Sequence, residues 1–155
     1  MKIAIGSDHA GFELKQKIAA RLKQQGHQVT DEGAIDTTSV DYPDYARKVA
    51  HDVADGRSEY GVLVCGSGIG MAIAANKVPG IRSASIHRAE EAQISREHND
   101  LNVLAIGARA VPEDEAYKIV DTFLKTAFAG GRHEQRVQKI AEIEKDERAQ
   151  TATRK

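Results

Sequence analysis

Residues 61–70 read Gly-Val-Leu-Val-Cys-Gly-Ser-Gly-Ile-Gly (GVLVCGSGIG), and the apolar stretch Met71 to Asn76 follows directly. A short, uninterrupted apolar run such as Gly61 to Cys65, ending in glycines, predicts a strand buried on both faces. The stretch beyond it predicts a helix. Similar short runs occur at Lys2 to Ile5, closed by Gly6, at Arg82 to Ile86 and at Asn102 to Ile106, with a weaker one at Gln28 to Asp31. Helical patterns lie between them. Leu14, Ile18 and Leu22 recur every four residues, as do Ala46, Ala50 and Ala54 beside Val49 and Val53. The clearest pattern is Ala116, Ile119, Val120, Phe123, Leu124 and Ala127, with Pro112 near its start and Gly130 at its end. Strands alternating with helices predict a Rossmann-like αβα sandwich, with a central parallel five-stranded sheet and helices on both faces. After Gly130-Gly131 a C-terminal helix is expected, with Val137, Ile140 and Ala141 as its apolar stripe.

Composition narrows the function. The 155 residues amount to one domain, read here as 1–147, followed by a polar tail, 148–155, expected to be frayed and outside the fold. Hydrophobic residues make up 41%, enough for one core. A formal net charge of −1 argues against a general nucleic-acid binder, which would carry a basic excess. The single cysteine excludes an intramolecular disulfide framework and a cysteine-based zinc site. The six histidines lack the spacing of a metal site. The N-terminal residues show no signal-peptide core, and no apolar run reaches membrane-spanning length, so a soluble cytoplasmic protein is expected.

In open parallel sheets, ligands sit beyond the carboxyl ends of the strands. Gly6-Ser7-Asp8-His9-Ala10-Gly11 falls there, either as an Asp cap with a solvated His or as a carboxylate and an imidazole aimed into the crevice. Cys65 to Gly70 falls there too. Its glycines expose N–H groups at a helix N-terminus, an anion cradle. The spacing is not that of a dinucleotide fingerprint, and the P-loop lysine is missing. Cys65 itself is either an inert small hydrophobe or, at the positive end of a helix, a nucleophile or base favoured as thiolate. Arg132 and Arg136, four apart after Gly130-Gly131, share one helix face and suit a phosphate or carboxylate, unless they are simply solvated. Arg96-Glu97-His98-Asn99-Asp100 reads as a polar helix end.

Together these segments resemble the type B ribose-5-phosphate isomerases and their relatives, the galactose-6-phosphate and allose-6-phosphate isomerases. The resemblance runs from Met1 to about Glu144, through GSDHAGFELK (6–15), DYPDYA (41–46), CGSGIGMAIAANKVPGIR (65–82), SREHNDLNVLAIGAR (95–109) and GGRHEQRV (130–137). It implies interconversion of D-ribose 5-phosphate and D-ribulose 5-phosphate through an enediolate, with no cofactor and no metal. By position, Cys65 matches the base for the C2 proton. Ser67 stands where many members have Thr. The N–H groups of Gly66, Ser67, Gly68, Ile69 and Gly70 match the oxyanion site. Asp8 and His98 match ring-opening residues, with His98 as proton donor. His9, Arg109, Arg132 and Arg136 match substrate-binding positions, mostly for phosphate, and Asn99 a sugar contact. One branch of the family uses a glutamate six residues after the cysteine position. Here Met71 stands in that place, which puts the chain in the cysteine branch.

Three other functions remain open from the sequence. One is isomerisation of a six-carbon 6-phosphate. Another is a phosphometabolite-binding module without turnover, for which a thiol beside the cradle would be superfluous. The third is a cysteine hydrolase using His98-Asn99, which the paired arginines fit poorly. For partners, the expectation is a homodimer with shared active sites, extendable to a dimer of dimers. The reason is topological: Cys65 and Asp8 follow strands, whereas His98 precedes one and belongs at the opposite sheet edge.

Overall fold

The structure is a computed structural model, and it describes residues 1–154. Five strands, β1 (Lys2–Ser7), β2 (Gln28–Asp31), β3 (Tyr60–Cys65), β4 (Ser83–Ser85) and β5 (Val103–Gly107), form one parallel sheet in the order β2-β1-β3-β5-β4. The helices are α1 (Phe12–Gln24), α2 (Tyr42–Ala54), α3 (Ile69–Ala75), α4 (Ala89–Asn99), α5 (Glu113–Lys125) and α6 (Arg132–Thr153). This is the expected Rossmann-like sandwich.

Side-chain alternation along the strands divides the core into two layers. Ile3, Ile5, Val62, Val64, Leu104 and Ile106 pack against α1, α4 and α5 through Leu14, Ile18, Ala92, Ile119 and Phe123. Ala4, Leu63, Cys65, Val103 and Ala105 face α2 and α3 through Ala46, Val49, Met71 and Ala72. Small alanines on that second face let α2 and α3 lie close to the sheet. The chain leaves β1 for β2 on one side and returns for β3 on the other. The carboxyl ends of β1 and β3 therefore flank the switch point where ligands bind in such sheets.

Several boundaries differ from the sequence reading. The fourth strand is three residues long rather than five, because the Arg82 N–H is taken by the Asn102 side chain at 2.8 Å instead of a ladder partner. The α5 helix stops at Lys125, before the expected Ala127, where Thr126 turns extended and Arg96 Nε donates to its carbonyl at 3.0 Å. In α6 the expected stripe of Val137, Ile140 and Ala141 is not buried, and Ile140 is 46% exposed. The other five helices already cover the sheet, so α6 packs against α4 and accepts one outlying bond, from Gly80 N–H to Glu144 Oε2 at 3.1 Å. The supposed tail continues α6 to Thr153, supported by good helix formers and by Thr151 Oγ1 donating to the Glu147 carbonyl at 2.9 Å. Every described residue from 148 on is exposed, and Lys155 lies outside the described residues. Among the described residues, no helix is long and apolar enough to cross a membrane.

Candidate active site

A cleft of about 660 Å³ opens at the carboxyl edge of the sheet, lined by Asp8, Tyr42, Cys65, Ser67, Gly70 and Arg109 among others. Cys65 ends β3 with its side chain in the α2/α3 layer, 5% exposed, and its Sγ accepts a hydrogen bond from Gly68 N–H at 3.1 Å. That bond exists because Gly68 takes φ +79°, which turns the chain back so that its N–H points at the sulfur. A Cβ on Gly68 would lie 3.0 Å from the Gly107 nitrogen, so the turn also needs the missing side chain. Ser67 Oγ accepts from Ile69 N–H at 3.2 Å, which leaves its hydroxyl proton free to donate into the cleft. The other N–H groups at the start of α3 have no acceptor within the helix.

The second wall comes from the loop after β1. Asp8 is buried, and its Oδ1 accepts from Gly11 N–H at 2.9 Å while its own N–H reaches the Val64 carbonyl at 3.3 Å. This bond closes a local turn and does not cap α1, so the simple capping reading fails. His9 is half-buried rather than solvated. Its Nδ1 accepts from Val40 N–H at 3.2 Å, which assigns the ring proton to Nε2 in the neutral form. Arg109 follows β5, with its N–H on the Gly66 carbonyl at 3.0 Å and its guanidinium over Gly66, 3.2 Å from where a Cβ would be.

Asp8, His9, Cys65, Ser67 and Arg109, with Gly66, Gly68, Ile69 and Gly70, are thus gathered at one edge. His98, Asn99, Arg132 and Arg136 are not. His98 and Asn99 end α4 just before β5, and Arg132 and Arg136 occupy the first turns of α6. None of the four lines the Cys65 cleft. Gly61 pairs with Val103 and Cys65 with Gly107, so a strand's length separates the two groups. Arg132 and Arg136 are exposed, and neither pairs with an acid among the described residues.

Two residues that the sequence reading left without a role stand out. Tyr42, first residue of α2, lies over Gly70, where a Cβ would come within 2.5 Å of its ring. The DYPDYA stretch was its only signal. His133 stacks on His98 with ring centroids 4.1 Å apart and 12° between planes. Burial first, then the charges of His98, Arg132 and Arg136, hold His133 below the ordinary imidazole range, so it favours the neutral form. Met71, at the position of the alternative glutamate, is fully buried. Among the described residues, no three His, Cys, Asp or Glu side chains gather as a metal cluster.

A family model described as Ribose/Galactose Isomerase matches residues 3–140. The chain is 49% identical over 143 residues to ribose-5-phosphate isomerase B of Escherichia coli, covering 92% of this chain and 96% of that one. Among solved structures, ribose-5-phosphate isomerase B of Clostridium thermocellum superposes with a TM-score of 0.93 at 55% identity, over 94% of this chain and 99% of that one. The Mycoplasma genitalium ribose-5-phosphate isomerase B, solved with bound ribulose-5-phosphate, gives 0.89 at 42% identity, over 93% and 96% of the two chains. With this agreement in sequence and fold along nearly the whole chain, the protein belongs to the ribose/galactose isomerase family.

Proposed function

We propose that this chain interconverts D-ribose 5-phosphate and D-ribulose 5-phosphate, with Cys65 as the base that moves the proton between C2 and C1. The observation that carries this reading is the Cys65 sulfur at the cleft, accepting from Gly68 N–H beside the Ser67 hydroxyl. The ring opens first, Asp8 taking the proton of the anomeric hydroxyl and His98 giving one to the ring oxygen. The thiolate then removes the C2 proton, and the electron pair forms the C1–C2 double bond with negative charge on O1. N–H donors of the 66–70 loop hold that charge, and such preorganised donors contribute about 3–4 kcal/mol each in comparable sites. Ser67 passes the O2 proton to O1, and Cys65 returns its proton to C1. Arg109, His9, Arg132 and Arg136 bind the phosphate, whose remote binding energy aligns C1 and C2 with the sulfur.

This reading requires two copies of the chain. A five-residue strand spans roughly 17 Å, too far for His98 to serve the Cys65 of its own subunit. His98, Asn99, Arg132 and Arg136 therefore act on the cleft of a second copy, in a homodimer with shared sites. The test has two stages. The protein should convert ribose 5-phosphate, compared with allose 6-phosphate and galactose 6-phosphate to fix the sugar. Cys65→Ala should then lose about 10²–10⁴-fold in kcat with little change in substrate binding. A Cys65→Ala enzyme retaining most of its kcat would remove the cysteine from the mechanism. Cys65→Ala and His98→Ala subunits, refolded together, should regain activity, because one site of each mixed dimer carries no lesion. No recovery despite subunit exchange would refute the shared site.

A further inference from the structure

We propose that Arg96 is a positioning residue that fixes His98 and Asn99 against Arg132 and Arg136; the role rests on the isomerase reading above. Arg96 is 4% exposed, in the last turn of α4. Its guanidinium is almost fully used. Nε donates to the Thr126 carbonyl at 3.0 Å, Nη1 to Asp100 Oδ1 at 2.8 Å and to the Leu101 carbonyl at 2.6 Å, and Nη2 to Tyr60 Oη at 3.1 Å. The group also lies 4.9 Å from the Tyr60 ring centre and 5.8 Å from that of Phe123.

These partners come from three parts of the chain: the exit of α4, the start of β3 and the segment after α5. Arg96 thereby ties the end of α4 to residue 126, and a second bond, Ala129 N–H to the Glu97 carbonyl at 3.1 Å, repeats the tie one residue further along. On one side of this clamp stand His98 and Asn99. On the other, residues 126–131 lead into α6, which carries Arg132, His133 and Arg136. The His98–His133 stack at 4.1 Å spans the two sides. α6 has no buried residue of its own. Its hydrogen bond to the Gly80 N–H, through Glu144 at 3.1 Å, lies about three turns from its start. The 126–131 segment and the His98 stack are therefore what place its first turn.

A buried charge is a poor way to gain stability, since apolar packing of similar volume commonly does as well or better. A planar fork with donors in fixed directions does fix geometry, and lysine cannot copy it. The proton donor and the phosphate arginines must keep a fixed separation, because a displacement of about 1 Å can lower a rate by up to ~10²-fold.

The test uses the full-length protein with Arg96→Lys, which keeps the charge but not the fork. Four readouts are compared with the parent: the thermal transition, the dissociation constant for inorganic phosphate, the nuclear Overhauser effects between the His98 and His133 rings, and kcat/KM. The expected result is a cooperative transition with the ring-to-ring Overhauser effects abolished, phosphate binding weakened about tenfold or more, and kcat/KM lowered by roughly 10–100-fold. A purely structural role would lower the transition temperature while leaving the ring stacking and phosphate constant of the folded protein unchanged; that outcome overturns the proposal. If Arg96→Lys does not fold, Asp100→Asn loosens one arm of the clamp at φ +48°, a conformation asparagine tolerates. It should weaken phosphate binding and the Overhauser effects in the same direction, and no change in either overturns the proposal. The ring stacking is read without turnover. If the parent shows no isomerisation, the functional reading falls while the positioning is still decided.

Discussion

Replacing Gly68 by alanine separates two demands that the structure places on one residue. Its φ of +79° carries a left-handed penalty of about 1–2 kcal/mol for any residue with a Cβ. The new methyl would also lie 2.6 Å from Ser85 Oγ and 3.0 Å from both the Gly107 nitrogen and the Ile106 carbonyl carbon. The Ser85 hydroxyl can swing away, but the β5 backbone cannot, and overpacking of this kind costs about 1–3 kcal/mol more. Gly80 is the control, with φ +86° and nothing within 4 Å of a Cβ, so Gly80→Ala carries the left-handed penalty alone. Urea denaturation should place Gly80→Ala about 1–2 kcal/mol below the parent and Gly68→Ala about 2–5 kcal/mol below it. The larger loss corresponds to roughly 4–20 °C in melting temperature. The variants should diverge in activity as well. Relief of the collision moves the N–H that points at the Cys65 sulfur, so Gly68→Ala should lose about 10²-fold in kcat while Gly80→Ala keeps the parent value. Equal stability losses, or a folded Gly68→Ala enzyme with parental kcat, would refute the reasoning.

Two further outcomes follow from named groups. Arg136→Ala should raise KM more than it lowers kcat and weaken competitive inhibition by inorganic phosphate, because phosphate binding is shared by ground and transition states; an unchanged inhibition constant takes Arg136 out of the phosphate site. Glu32 is held above the ordinary carboxylate range, first by its hydrogen bond to Asp52, then by burial and the charge of Asp52. Asp52 Oδ2 is buried and has no donor when Glu32 is ionised. A raised folded-state value means that this stabilisation is complete below the unfolded carboxylate range and is lost as pH rises through the folded one. Glu32→Gln, which donates to Asp52 at any pH, should flatten the stability-versus-pH curve in that window. A curve identical to the parent's would show that the pair shares no proton.

The sequence alone determined what depends on near neighbours. Short apolar runs located four of the strands and a weaker pattern the fifth, β2, and strands alternating with helical spacing pointed to a parallel sheet. The glycines after Cys65 marked a candidate cradle, and chain order put Cys65 and Asp8, which follow strands, at one edge and His98, which precedes one, at the other. Periodicity is a local property, so it survives whatever the rest of the chain does. The tertiary structure decided what depends on residues far apart in the chain. Insertion of β5 between β3 and β4 brought Arg109 onto Gly66 and Gly107 beneath Ser67. Tyr42 meets Gly70 only because α2 and α3 pack side by side. Lys15 of α1 is 1% exposed, because Asp31 at 2.8 Å and the Ala34 carbonyl at 2.6 Å meet it from across the fold. Likewise, the apolar spacing of Ile140 in α6 could not show that the sheet faces were already filled, which leaves that residue exposed. Burial belongs to the assembled layers, and a one-dimensional pattern records a side chain's spacing without recording what comes to cover it.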